Sequence, residues 1–563
     1  MNKYFMKYSF SNLSVLIKQR WQLILIVVLA AALRFHQLGQ VPSGFTWDEA
    51  AIGYNGYAII HTRRDEWLER LPVSFRSFGD YKAPLAIYLN GLFTAVLGLN
   101  KYTVRVPFAL GGVAAVLGMY LLTKQLLKQL SVQTTIDHES LALTSALLLA
   151  VNPWHLHFTR AGFESGLALM FVVWGSFFLV KFVQSSQFLL SEQVETVKLL
   201  VREQFWPRLG WLLAAFTCLI ASAYTYHSAK LFIPLMLILV GMVQFKIFWR
   251  QKAISLLGIF YSLVLLRPMI LDSIYGSGLK RAGTLVFSLN YAWPTTIWLI
   301  IKHLLFHLSP QFLVLGEVST LRHGTGKFGV LLPITFVGVV LGLAAIVRTI
   351  AKKDDKQLEF LRFGLTALAW IAVGLLPAAM GILTPQANRS LLALPGFIWL
   401  SLLGLDFLLS QLKSRWPQID FSTASRVWLL GLVISAGFYL RYYYQGFAVN
   451  STEAFLDGYV EAFQYVRQYE KGINGKPKKS KVIFTSDYGQ PYIYALFVNK
   501  LNPIWYQGGS LNTYLFTENI TQSDLEQDNV VVVASKDDDV PIEQADKVIR
   551  GADGSIRFKI YVR

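Results

Sequence analysis

The segment Ala83–Leu99, APLAIYLNGLFTAVLGL, decides how the whole chain is laid out. It is apolar and uncharged, and just long enough to carry a helix across a bilayer. Counted as a span, it would move every later connection to the other side of the membrane. The lysines and arginines choose between the two layouts, because cytoplasmic connections collect them. If Ala83–Leu99 does not cross, the N-terminus and the connections near 124–138, 181–208, 246–252, 348–362 and 411–426 share the cytoplasmic side. These connections hold Lys124, Lys128, Lys198, Arg202, Arg208, Lys246, Arg250, Lys252, Arg348, Lys352, Lys353, Lys356, Arg362, Lys413, Arg415 and Arg426. The short outer turns then keep only Arg160, Lys230 and Arg389. If the segment does cross, the lysine-rich connections lie outside. It is therefore read as a helix lying at, or dipping into, the outer interface.

Composition agrees with a membrane protein. Of 563 residues, 54% are hydrophobic and only 15% charged, against about 25% charged in an ordinary soluble chain. The net charge of +18 follows from topology rather than from a nucleic-acid footprint, since the basic residues sit largely between apolar runs. Spans are read at about 21–39, 103–123, 140–153, 163–184, 209–223, 230–247, 253–270, 328–348, 363–380, 390–410 and 427–443, about eleven in all. Met1–Arg20, with Lys3, Lys7, Lys18 and Arg20 and no acid, reads as a cytoplasmic start before an uncleaved first span. Cys218 is the single cysteine, so neither an intrachain disulfide nor a cysteine-based zinc cage is available.

The transmembrane part occupies 21–445, with a first outer loop at 40–102 and a second large outer loop at 271–327. The first loop has an amphipathic stretch near Ala50–Ile60, and the second has an interfacial helix at Trp293–Leu308. From about 446 to 563 the texture becomes polar, with β-rich runs KVIFTS (481–486), VVVVAS (530–535) and IRFKIYVR (556–563) separated by turns at Asp487-Tyr488-Gly489 and Ala552-Asp553-Gly554. The fold class is thus an all-α polytopic membrane protein with outer-face interfacial helices and a small C-terminal soluble α/β domain on the outer side.

Polar residues gather at the outer ends of the spans, which suggests a reaction site at one interface rather than a route across. TWDEA (46–50) places Asp48 and Glu49 beside Trp47. These two acids suit a general base or a divalent-metal ligand, or equally a helix N-terminus. FGDYKAPL (78–85) holds Asp80 and Lys82, the latter a phosphate ligand or a snorkelling lysine. NPWHLHFTRAGFES (152–165) packs His155, His157, Arg160 and Glu164 into one turn, and Arg160 can bind a phosphate bidentately. YTYHSAKLFIP (224–234) offers Tyr226, His227 and Lys230, with aromatics able to carry a sugar ring. Lys280 and Arg281 in GSGLKRAG, Arg322 and His323 in TLRHGTGKFG, and Arg389 in TPQANRS are outer cations that call for an anionic partner such as a lipid-linked phosphate. No ATP phosphate loop, dinucleotide fingerprint, HExxH or GxSxG is present.

Taken together, these motifs resemble the polyprenyl-phosphate-sugar-dependent glycosyltransferases of the C fold, among them protein O-mannosyltransferases and the bacterial aminoarabinose transferase of lipid A. The resemblance covers about 20–445. It rests on the acidic pair after the first span, Lys82-Ala83-Pro84-Leu85 (with Ala83 where relatives carry a first proline), Val104-Arg105-Val106-Pro107, and the arginine and acid after the third span. It implies inverting transfer from a polyprenyl-phosphate-linked sugar to a glycan, lipid or protein acceptor. Asp48 would be the base and Glu49 its companion, and Glu164 takes the place of the second acid. Arg105 matches the arginine that opens the next span. Lys82, Arg160 and Arg389 would lie on the carrier phosphate. A divalent metal is left open, with Asp48 its candidate ligand, and no other cofactor is implied. Length and the scarcity of cysteine suggest a prokaryotic plasma membrane. A lipid-linked-sugar flippase, a polymerase or ligase using the same donors, and a non-catalytic scaffold are the alternative readings.

Overall fold

The computed structural model describes residues 20–187, 204–278, 280–352, 358–416, 421–506 and 511–563. The N-terminal segment 1–19 and the expected cytoplasmic cations Lys198, Arg202, Lys353 and Lys356 lie outside the described residues, as does the side chain of Arg281.

Among the described residues, eight helices are long and apolar enough to cross a membrane, so the chain is a multi-pass integral membrane protein. The shorter apolar helices are Leu85–Leu97, His138–Val151 and His227–Val243, and a further helix runs over 20–35. Close packing between spans depends on small residues, as is usual where lipid offers no hydrophobic drive. Helices Pro333–Lys352 and Leu394–Arg415 meet backbone to backbone at Gly338, Gly342 and Gly404. Two spans are lightly covered: 11% of the apolar stretch of Lys252–Tyr275 and 17% of that of Thr423–Asn450 are buried, which leaves the rest to face lipid.

Leu85–Leu97 has 13 residues, about 20 Å of helix at 1.5 Å per residue, too short for a bilayer core of about 30 Å. Leu92, Val96 and Leu97 are exposed on one side, while Asn90, Gly91 and Thr94 pack inward. One side of this short helix is thus apolar and uncovered. Trp293–His307 is similar, with Trp293, Ile297, Ile301 and Leu305 forming an exposed stripe at four-residue spacing. The stretch expected to be amphipathic near Ala50–Ile60 is instead enclosed. Helix Trp47–Thr62 buries ten of its residues, because Leu85–Leu97 packs on one face and the C-terminal helix Pro491–Asn499 on another.

The C-terminal part carries a five-stranded sheet. Its strands are β3 (Lys481–Thr485), β4 (Tyr514–Thr517), β5 (Val530–Ser535), β6 (Lys547–Arg550) and β7 (Ile556–Val562), in the order β4-β3-β5-β7-β6. β3 runs parallel to β4 and β5, and β7 is antiparallel to β5 and β6. The separate hairpin β1 (Phe75–Ser77) and β2 (Asp80–Lys82) lies in the first loop. One apolar cluster straddles the two parts, joining Phe45, Ala50, Tyr54, Leu99 and Val104 to Tyr459, Phe463, Phe484, Tyr494 and Phe497. Tyr494 Oη donates to the Phe45 carbonyl at 2.6 Å, and Tyr54 Oη to that of Leu501 at 2.8 Å.

The two ends of the bundle are chemically distinct. At one end Ile136 N–H donates to Asp406, Arg348 to Gln411, and Lys124 pairs with Glu139. The C-terminal unit and the polar clusters occupy the other.

A methyl group tests the glycine contact. Gly404→Ala should cost about 1–3 kcal/mol by overpacking against the Gly338 backbone, while Gly437→Ala, with open space around it inside helix Phe421–Arg441, should hold or raise the detergent unfolding temperature.

Candidate active site

Thr46 caps helix Trp47–Thr62. Its hydroxyl accepts from Glu49 N–H, and Glu49 in return accepts from Thr46 N–H at 3.0 Å. Glu49 is then filled from every side. Arg105 reaches it through Nε at 2.7 Å and Nη2 at 3.3 Å, and Gly162 N–H donates at 3.2 Å. Burial alone would raise this carboxyl. The charge and hydrogen bonds of Arg105, with the Thr46 and Gly162 N–H groups, outweigh that and hold it below the ordinary carboxylate range. Successive helix residues are about 100° apart, so turning Glu49 inward turns Asp48 outward. The Asp48 side chain is 33% exposed, against 2% for Glu49.

Two cations flank Asp48. Lys82, at the end of β2, ion-pairs with Oδ1, and Arg322 Nη1 lies 3.9 Å from Oδ2. The segment 314–329 presents Arg322 and His323 and is closed at its base by Gly329 N–H on the Val314 carbonyl at 2.8 Å. Arg322 is fixed at three points. Nε donates to the Ala454 carbonyl at 3.1 Å, its guanidinium lies 4.5 Å over the Trp47 ring, and its carbonyl accepts from His157 Nε2 at 2.9 Å. Burial, opposed by that hydrogen bond, takes His157 down to about 4, so it stays a neutral donor. Burial also lowers His323 to about 4, with Arg322 and His157 adding to the effect, Asp48 opposing it and Arg389 contributing. Its Nδ1 has no hydrogen-bond partner among the described residues. Arg389 donates to Thr284 Oγ1 at 2.9 Å. The structure thus brings Trp47, Asp48, Lys82 and Arg322 into direct contact, with His323 next to Arg322 in the chain and Arg389 within electrostatic range of His323.

Other outer residues border this group. Lys280 Nζ reaches Tyr81 Oη at 3.3 Å, and His227 Nε2 bonds the Tyr81 carbonyl at 3.0 Å, next to Lys82. Tyr81 was not singled out by sequence, although it sits between Asp80 and Lys82. The Asp80 carboxylate accepts from Tyr81 N–H at 2.8 Å. Tyr226 and Lys230 flank and open helix His227–Val243, and Glu164 opens Glu164–Gln187.

Several expected ligands are turned elsewhere. Glu49 is enclosed by its ion pair. Arg105 spends its remaining donors on the Leu38, Pro42 and Gly44 carbonyls, each at 3.0 Å. Arg160 is fully buried and donates to the Leu33, Arg34, His36 and Val41 carbonyls and to Tyr444 Oη. Buried His155 faces Arg34 at 2.7 Å. In this geometry these side chains brace the turns that present the site and do not face a phosphate. At Asp48, Lys82 pairs with one oxygen and Arg322 approaches the other, and no group of three His, Cys, Asp or Glu side chains converges among the described residues.

No protein-family model and no curated protein matches this sequence; the likeness is structural. The fold is the C fold seen in ArnT. Apo ArnT from Cupriavidus metallidurans is similar with a TM-score of 0.51 and 11% identity, over 96% of this chain and 98% of that one. The same protein bound to undecaprenyl phosphate gives a TM-score of 0.49 at 12% identity, with the same coverage. The oligosaccharyltransferase of Archaeoglobus fulgidus, tethered to an acceptor peptide, gives 0.47 at 14% identity over 86% of this chain. This chain spans 63% of that protein's length.

Two outcomes test the framework. Arg105→Met leaves a buried, unpaired Glu49 and should cost about 3–5 kcal/mol of stability, with Arg105→Met/Glu49→Gln recovering part of it in detergent melts. Glu66, beneath the same loop, is pushed up to about 8 from its ordinary 4.5 by burial, with Asp65 adding. Between these values the unfolded chain holds fewer protons than the folded one, so stability falls as pH rises. Glu66→Gln should therefore melt higher than wild type at pH 8 and lose that advantage near pH 4.5.

Proposed function

We propose that this protein is a glycosyltransferase that moves a sugar from a polyprenyl-phosphate carrier to an acceptor at the extracytoplasmic face. The observation that carries the reading is the half-open carboxylate of Asp48. It is ringed by Lys82 and Arg322, with His323 and Arg389 beside it, at the end of the bundle where the C-terminal unit sits. The C fold supports the class, and the lysine-rich opposite end supports the orientation.

In this mechanism an acceptor hydroxyl attacks the anomeric carbon from the face opposite the carrier. The bond between that carbon and the phosphate oxygen breaks, and its electron pair leaves with the phosphate, giving inversion. Asp48 takes the hydroxyl proton. Lys82, Arg322 and Arg389 take up the charge that grows on the phosphate, where fixed cations need no reorganisation. His323, a neutral imidazole beside Arg322, is the candidate partner of a sugar or acceptor hydroxyl. Each basic side chain that faces the opening is held by a hydrogen bond, an ion pair or a ring contact, so the site is ordered before substrate arrives.

The test uses full-length protein in detergent with polyprenyl-phosphate sugars and follows release of the carrier phosphate. Asp48→Asn should lower turnover by about 10²-fold or more, and Arg322→Ala by a similar factor. Equal turnover in wild type and Asp48→Asn removes that carboxylate from the chemistry, and no turnover with any carrier lipid ends the reading.

A further inference from the structure

A second cavity, about 540 Å³ in volume, opens between the β1–β2 hairpin and the C-terminal sheet, well within the size range of small-ligand sites. Its walls include Trp67, Arg76, Phe78, Tyr492, Tyr514 and Phe516. Every one of the five rings is half-buried, and where a ring carries a polar atom, the protein holds it. Trp67 Nε1 donates to the Arg76 carbonyl at 3.1 Å. Tyr492 hydrogen-bonds Glu66. Tyr514 Oη donates to Glu470 at 2.6 Å and accepts from Asn499 at 3.0 Å. With their polar ends engaged, the rings offer the cavity mainly apolar faces, at fixed angles.

Phe78 is the unusual member. With Gly79 it forms the two-residue connection between Ser77 and Asp80, and both take positive φ, +51° and +77°. A turn with two left-handed residues favours Asn-Gly. Phenylalanine is strained there, yet its ring bridges Tyr492 at 5.9 Å and Trp47 at 6.2 Å. The turn gives up its preferred residue to set an aromatic ring between this cavity and the residue next to Asp48.

We propose that this cleft binds a saccharide, the glycan portion of the acceptor, by stacking pyranose faces on the fixed rings while the Arg76 guanidinium, 4.2 Å over Trp67, serves the ring hydroxyls. A pyranose has apolar C–H faces and a polar rim, which matches apolar ring faces bordered by a planar donor. Phe78 also touches Trp47, the neighbour of Asp48, which sets the cleft beside the Asp48 region. The name acceptor rests on the sugar-transfer reading; the binding itself does not.

The experiment measures binding to full-length protein in lipid nanodiscs by calorimetry and saturation-transfer NMR. The probes are maltohexaose, cellohexaose, mannohexaose and chitohexaose, with a serine- and threonine-rich peptide of similar length as the alternative class. At least one hexasaccharide should bind, and Phe78→Asn should weaken it by about ten-fold or more while the unfolding temperature holds or rises, because the turn relaxes. Phe516→Ala, away from the turn, should weaken the same ligand. The proposal is overturned if no hexasaccharide binds, if the peptide binds instead, or if both variants bind as wild type does. Donor cleavage in the same preparation separates the two readings. Cleavage without saccharide binding sinks the cleft, and saccharide binding without cleavage sinks the transfer reaction.

Discussion

The ion pair between Glu49 and Arg105 is the constraint on which the site depends. It is fully enclosed, and a buried pair of charges is tolerable only when its lone pairs and protons are satisfied. Here they are, by Thr46, Gly162 and the carbonyls of Leu38, Pro42 and Gly44. Those partners belong to the turn after helix 20–35, the start of helix Trp47–Thr62, span Lys101–Gln129 and the turn before Glu164–Gln187. One carboxylate therefore fixes four pieces of chain relative to one another. The orientation of Asp48 follows, because its neighbour cannot turn without abandoning every bond it makes.

Arg160 and Arg34 extend the same logic into the bundle. Both are wholly buried and hold backbone carbonyls at the ends of spans, where helix geometry leaves acceptors unpaired. Arg34 also fixes His155 and Thr159, and the neutral His157 holds the carbonyl of Arg322. The cations that face the opening are thus supported by a layer of buried cations and neutral imidazoles that do not.

Hydropathy made the spans legible, since any 20-residue apolar run announces itself. Charge sidedness argues that Leu85–Leu97 does not cross, and the helix there is short. β3, β5 and β7 were readable from their valine and isoleucine runs. β4 and β6 were not, being four-residue edge strands with no clear pattern. Asp48, Lys82, Arg322 and Arg389 each stood out as charge at an outer turn, and the first three meet in ion pairs. Arg105 and Arg160 stood out for the same reason, but a sequence does not distinguish an arginine that holds carbonyls from one that faces a ligand. The aromatic cleft had no local signature, because residues 67–78 and 492–516 meet only in three dimensions.

The seam at Trp47 has a consequence for how such chains diversify. Gly489, in the C-terminal part, lies flat against the Trp47 ring with no room for a side chain, and Tyr494 and Tyr54 stitch the same boundary. One side of Trp47 is therefore walled by the C-terminal part of the polypeptide. Exchanging that part for another would strip the cover from Trp47, so the two parts have to match along this seam.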